Sequence, residues 1–139
     1  MSRILGNEQG YVSFLTALHL HDVISQIPHA IQVATTGRGR RLETPIATFE
    51  LFRLSPTLMG DGIEWSETTI SYRLATAERA LFDTLYLSTR KLLRFRSLPE
   101  LELGGRRFSR PKFRRLVDAM SNVRLASAVR ARAIELRLL

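Results

Sequence analysis

The 139-residue chain has no cysteine, which excludes a disulfide framework, a thiolate zinc site and a cysteine nucleophile. No run approaches the ~20 apolar residues that a membrane-spanning helix requires. The opening MSRILG lacks the apolar stretch of a secretory signal peptide. These absences set the expectation of a cytoplasmic protein with no membrane partner. Lysine is scarce as well: Lys91 and Lys112 stand against nineteen arginines. A restriction-type metal nuclease needs carboxylates on the metal and a lysine, two residues after Glu or Gln, to orient water. Here Thr89 and Arg110 occupy the positions two before the lysines, so that signature is absent.

What is present is ordinary for a folded protein, with 45% hydrophobic and 24% charged residues, sufficient for a core. The length suits one domain; residues 1–10 read as an N-terminal tail and 11–139 as a single domain. The formal charge of +8 is unevenly spread. Residues 1–70 carry five arginines and seven acids, a net of −2, whereas residues 71–139 carry sixteen basic residues and six acids, a net of +10. This asymmetry suggests an acidic partner, nucleic acid or protein. A solvated arginine-rich face from codon bias produces the same pattern.

Hydrophobic spacing predicts an α+β fold. Positions 13–25 read as an N-terminal helix with Ser13 as its cap, from the recurrence of Phe14, Ala17, Leu18, His21 and Ile24. Four strands are expected in a small, mainly antiparallel sheet: 31–36, a two-face-covered strand at 45–54, a short one at 63–65, and an alternating one at 69–74. Three helices should follow. The first is capped by Thr76 with Glu78 in its first turn, the second is capped by Ser109 with Pro111 behind it, and the last runs from about Arg124. Helix, then strands, then helices is the segregated order of an α+β domain.

Few residues invite chemistry. His19 and His21 sit two apart on a helix, about 200° around the axis, and cannot share a metal; with no acid cluster or HExxH nearby, no metal site is expected. Glu100 and Glu102 have no third ligand and read as a solvated edge. Ser13 has no nucleophile-elbow glycine after it. Asp83, between Phe82 and Leu85 and four residues after Arg79, reads as a buried acceptor fixing helix docking. The glycine-spaced segment with Arg38, Arg40 and Arg41, read as a hairpin tip, could grip phosphate or carboxylate bidentately; the alternative is an exposed turn. The strongest interaction candidate is the block Arg106, Arg107, Arg110, Lys112, Arg114 and Arg115, broken only by Phe108 and Phe113 as large apolar residues. A helix with one basic face can hold nucleic-acid phosphates, although arginine stems also cover apolar surface. No catalytic constellation and no cofactor fingerprint emerges, so the chain reads as a non-enzyme.

Several segments, in order, resemble the C-terminal domain of AbiEi-type antitoxins, regulators of type IV toxin–antitoxin systems in bacterial abortive infection, a phage defence. They are YVSFLTALHLHDVI (11–24), Ile27 with Pro28, VATTGR (33–38), Thr44 with Pro45, ATAERALFD (75–83) and FRSLPEL (95–101). Together they span roughly residues 11–120. The resemblance implies a non-enzymatic antitoxin role countering a nucleotidyltransferase toxin, without a required stable complex, and without catalytic residues or a cofactor. In that family an N-terminal winged helix binds operator DNA as a transcriptional regulator; with only ten residues before the first segment, that winged helix is expected to be absent here. The alternative reading is a basic nucleic-acid-binding module acting through the arginines named above.

Overall fold

A computed structural model describes residues 9–58, 60–66, 72–90 and 95–139, with the side chains of Trp65 and Ser66 left aside. Six strands form one sheet: β1 (Gly10–Val12), β2 (Ile31–Thr35), β3 (Arg40–Glu43), β4 (Thr48–Arg53), β5 (Ile63–Ser66) and β6 (Tyr72–Ala75). Their spatial order is β3-β4-β2-β1-β6-β5. The pairs β3/β4, β2/β1 and β6/β5 are antiparallel, whereas β4/β2 and β1/β6 are parallel. Among the described residues four α-helices accompany them: α1 (Phe14–Leu20), α2 (Ala77–Ser88), α3 (Arg110–Asp118) and α4 (Val123–Glu135). No helix among the described residues is long and apolar enough to cross a membrane.

The α+β class stands, and its details need correction. The sheet has six strands rather than about four; three of its five pairings are antiparallel, as expected, with one parallel pair on each side of the central antiparallel β2/β1 pair. Among the described residues a strand, not a helix, comes first. Gly10, Tyr11 and Val12 are too short a run to show alternation, yet they are fully paired, antiparallel to Thr35, Ala34 and Val33. The first helix consequently covers only Phe14–Leu20. The second unexpected strand is β3. The 36–39 turn is no hairpin tip, because β3 passes beyond β4 to the sheet edge and pairs there through Arg40↔Leu51 and Leu42↔Phe49. In the strand expected at 45–54, the first residues form a turn in which Thr44 and Ala47 bond to each other, and Ile46 is 91% exposed. Expected strand residues 69–71 lie outside the described residues.

Burial of β4 on both faces follows from its alternation. Phe52 and, just beyond the strand, Leu54 join the main core with Tyr11, Phe14, Leu81, Leu85, Phe95 and Phe113. Phe49 and Leu51 point the other way and cluster with Val33, flanked by Ile31, Leu42 and Ala47. In the main core Phe14, Phe52 and Phe95 form a closed aromatic triad with centroids 5.1–5.4 Å apart, in the edge-to-face and offset ranges that rings favour. At its centre lies α2, which packs against α1, α3, α4 and β6.

The helix starts follow hydroxyl and amide chemistry. Thr76 Oγ1 accepts from Arg79 N at 3.1 Å, Ser109 Oγ from Lys112 N at 3.4 Å and Asn122 Oδ1 from Leu125 N at 3.1 Å, satisfying first-turn amides. The cap assigned to Ser13 is different. Its hydroxyl makes no capping bond; instead Gln32 Oε1, reaching from β2, accepts Leu15 N at 2.9 Å. Phe14 begins the helix with φ of 53°, a left-handed conformation that costs a bulky residue energy, and the aromatic triad holds it there.

The β5 entry is fixed by Gly62, whose φ is +85° and whose carbonyl accepts Thr76 N at 2.7 Å. A Cβ at this position would lie 2.8 Å from Arg79 Cβ and 3.0 Å from Thr76 Oγ1. Gly62→Ala is therefore expected to lower stability by about 2 kcal/mol from the left-handed backbone and the clash. Urea unfolding checks this; an unchanged midpoint contradicts it.

Candidate functional site

Four polar side chains from two parts of the chain meet inside the fold. On β1 and just past it, Tyr11 and Ser13 lie two residues apart and so share one side of the extended chain. Arg79 and Asp83 lie four apart on α2 and share one helix face. Tyr11 Oη and Ser13 Oγ each donate to Asp83 Oδ2 at 2.7 Å. Arg79 Nε stands 3.1 Å from Asp83 Oδ1 and donates to Tyr11 Oη at 3.2 Å, while its Nη2 donates to the carbonyl of Leu58. The guanidinium also lies against the Tyr11 and Phe82 rings, 5.8 and 5.2 Å from their centroids. Tyr11, Ser13 and Asp83 have no exposed surface, and Arg79 has 2%.

The electrostatics follow from that enclosure. Burial pushes the Tyr11 phenol far above its usual value, and the Asp83 carboxylate adds to the rise, so Tyr11 remains a proton donor. Burial also raises the Asp83 carboxyl group, opposed by Arg79 and by the Ser13 and Tyr11 hydroxyls. For Arg79, burial acts to lower the value, but Asp83 and Tyr11 more than restore it. A buried carboxylate is costly unless paired and hydrogen-bonded; here a cation and two hydroxyls serve that role. The arrangement joins β1 to α2 and, through Leu58, to the 3-10 turn Pro56–Leu58. Its chemical capacity is that of a clamp.

The sequence-derived role of Asp83 agrees with this geometry, whereas the part played by Tyr11 goes beyond the sequence reading and Ser13 serves the clamp rather than a helix cap. The i, i+2 spacing of two hydroxyls on an extended run is the signal that points to them. His21 caps the end of α1 and places Nε2 2.8 Å from the Ala75 carbonyl, a structural contact. Among the described residues no group of three His, Cys, Asp or Glu is placed to hold a metal.

The basic candidates do not form one surface. Arg38 lies in the 36–39 turn, whereas Arg40 and Arg41, adjacent on β3, project to opposite faces. Arg40 Nη1 turns back to the Arg38 carbonyl at 2.7 Å, and Arg41 Nε is 3.5 Å from Glu43. At the other end of the sheet, Arg106 and Arg107 are exposed in the turn before α3, and Arg114 and Arg115 are exposed on it. Arg110 braces the framework, since its Nε and Nη2 both donate to the Arg137 carbonyl after α4. Lys112 and Arg115 line a cleft of about 260 Å³ whose opposite wall carries Asp61, Glu64 and Glu78. Thus the two arginine groups sit at opposite sheet edges, near β3 and near β5.

No known family model and no curated protein sequence matches this chain.

Asp83→Ala is expected to cost about 3–5 kcal/mol, because it strands a buried guanidinium. Tyr11→Phe, which removes one donor and no volume beyond the oxygen, should cost about 1–2 kcal/mol. Thermal or urea unfolding of both variants tests the clamp, with Tyr11→Phe as the measurable case if Asp83→Ala does not fold. Wild-type midpoints in Tyr11→Phe would remove it.

Proposed function

We propose that this chain is a non-enzymatic, antitoxin-like regulatory domain of a type IV toxin–antitoxin, abortive-infection system, countering a nucleotidyltransferase toxin. One observation carries the reading. The two longest segments that resemble AbiEi-type antitoxins, 11–24 and 75–83, converge on the same buried clamp through Tyr11, Ser13, Arg79 and Asp83. A chance collection of short matches has no reason to converge in space. The convergence supports reading them as one framework signature, and a signature made of sealed, mutually bonded groups suits a binding or regulatory domain better than an active site.

Recognition by such a domain then falls to its surface. Exposed Arg106, Arg107, Arg114 and Arg115 suit an acidic partner, and contact with a toxin need not be long-lived. Their exposure also favours the second reading, a basic nucleic-acid-binding module, because contacts to phosphate depend on charge and little else.

Co-expression with a nucleotidyltransferase toxin of a type IV system is expected to restore growth of toxin-arrested cells. Continued arrest, with the folded protein present at wild-type levels, sinks the antitoxin reading. Replacing Arg106, Arg107, Arg114 and Arg115 with alanine separates the second reading: a DNA or RNA gel shift at ~50 mM salt that these changes abolish favours it, and absence of any shift in the wild type removes it.

A further inference from the structure

The edge strand β3 is chemically complementary to itself. It ends the sheet, and among the described residues it pairs only with β4. Residues along an antiparallel ladder alternate between pairs that exchange main-chain hydrogen bonds and pairs that do not. Thr44 N donates to the Ala47 carbonyl at 2.9 Å, which makes 44/47 a bonded pair, and the same register runs on through Leu42↔Phe49 and Arg40↔Leu51. The intervening Arg41 and Glu43 therefore turn their N–H and C=O groups outward, away from β4. Their side chains are exposed and of opposite charge. Leu42 projects from the other face, at the border of the apolar cluster of Val33, Phe49 and Leu51.

We infer that two copies of this chain join through β3, antiparallel and about a two-fold axis beside Leu42. In that register Arg41 of each copy stands opposite Glu43 of the other, and each such pair exchanges main-chain hydrogen bonds through its outward groups. The Arg41–Glu43 contact within the strand, 3.5 Å long, becomes one side of a square of alternating charges. The two Leu42 side chains meet at the unbonded position, where opposed residues approach more closely, and carry the apolar cluster across the seam. A shift of two residues either way sets Arg41 against Arg41 or Glu43 against Glu43, which like charges disfavour. A shift of one residue mismatches the two faces. Charges on an edge also discourage pairing with unrelated strands, so the self-match is selective. The resulting sheet is continuous across both copies, carries their helices on one side, and places the exposed arginines around α3 toward its two far ends. Strands of four residues bury less than the roughly 1,200 Å² of standard stable interfaces, so the dimer is weak and concentration-dependent.

Sedimentation of the full chain between ~10 μM and ~1 mM tests the inference, with reversible dimerisation of Kd about 0.1 mM expected. Glu43→Pro removes an outward N–H and no bond to β4, a change that edge strands accept. It should weaken dimerisation at least about tenfold with an unchanged melting temperature. Glu43→Arg and Arg41→Glu should each stay monomeric alone, yet form a one-to-one dimer when mixed, because every opposed pair again carries opposite charges. A wild-type chain that stays monomeric at ~1 mM leaves this edge to a strand of another protein and overturns the inference. So do assemblies larger than a dimer, since a two-fold contact closes on itself, and wild-type dimerisation of Glu43→Pro. A mixture that associates no better than its separate components overturns it as well, and this arm carries the test should Glu43→Pro melt early.

Discussion

The structure depends on one buried carboxylate. Asp83 accepts from Tyr11 and Ser13 and pairs with Arg79 where water does not reach. Without these partners its burial would oppose folding; with them, its requirement for donors sets where β1 must lie against α2. Neighbouring features follow from that placement. Arg79 holds Leu58 and is itself overlain by Gly62, which has no side chain to obstruct it. The Ser13 hydroxyl is drawn away from α1, so Gln32 takes over its capping. Phe14 then turns through a left-handed conformation into the aromatic triad. One electrostatic demand thus organises a central strand, two helices and a turn.

Local signals make part of this legible in advance. The Thr76 and Ser109 caps, the 77–88 helix and the 31–35 strand each declare themselves through hydroxyls and periodicity within a dozen residues. The buried pairing role of Asp83 follows from its apolar neighbours and from Arg79 four residues earlier. What escapes sequence reading is non-local. Three residues cannot display a strand period, so β1 is hidden although it is central. The parallel registers of β4 on β2 and β6 on β1 join segments whose sequences carry no mark of each other. The partners of Asp83 lie 70 and 72 residues away. For the candidate surface, proximity in sequence overstates proximity in space: Arg40 and Arg41 are adjacent, yet by their register on β4 they face opposite ways.

The charge asymmetry also acquires a different content. Many arginines of the basic half bind backbone carbonyls or acids of their own fold. Arg79 serves the clamp, Arg110 caps Arg137, Arg130 pairs with Asp118, and Arg132 reaches both Glu135 and the Arg96 carbonyl. A guanidinium offers five donors in a fixed fork, which suits it to join elements that lack regular hydrogen bonding, such as the 95–109 connector. Net charge therefore overstates what is available to a partner, and the distinction between arginines that brace and arginines that face outward lies in their partners.

The strand order has a consequence for the order of events during synthesis. Tyr11 and Ser13 leave the ribosome some seventy residues before the carboxylate that accepts them in the fold, and Val12 likewise long precedes Leu74, its parallel neighbour. The middle of the sheet cannot close until the first turns of α2 have emerged, and such long-range closure is slow because its entropy cost precedes its reward. The nascent chain must therefore carry an incomplete sheet centre until these later residues have emerged.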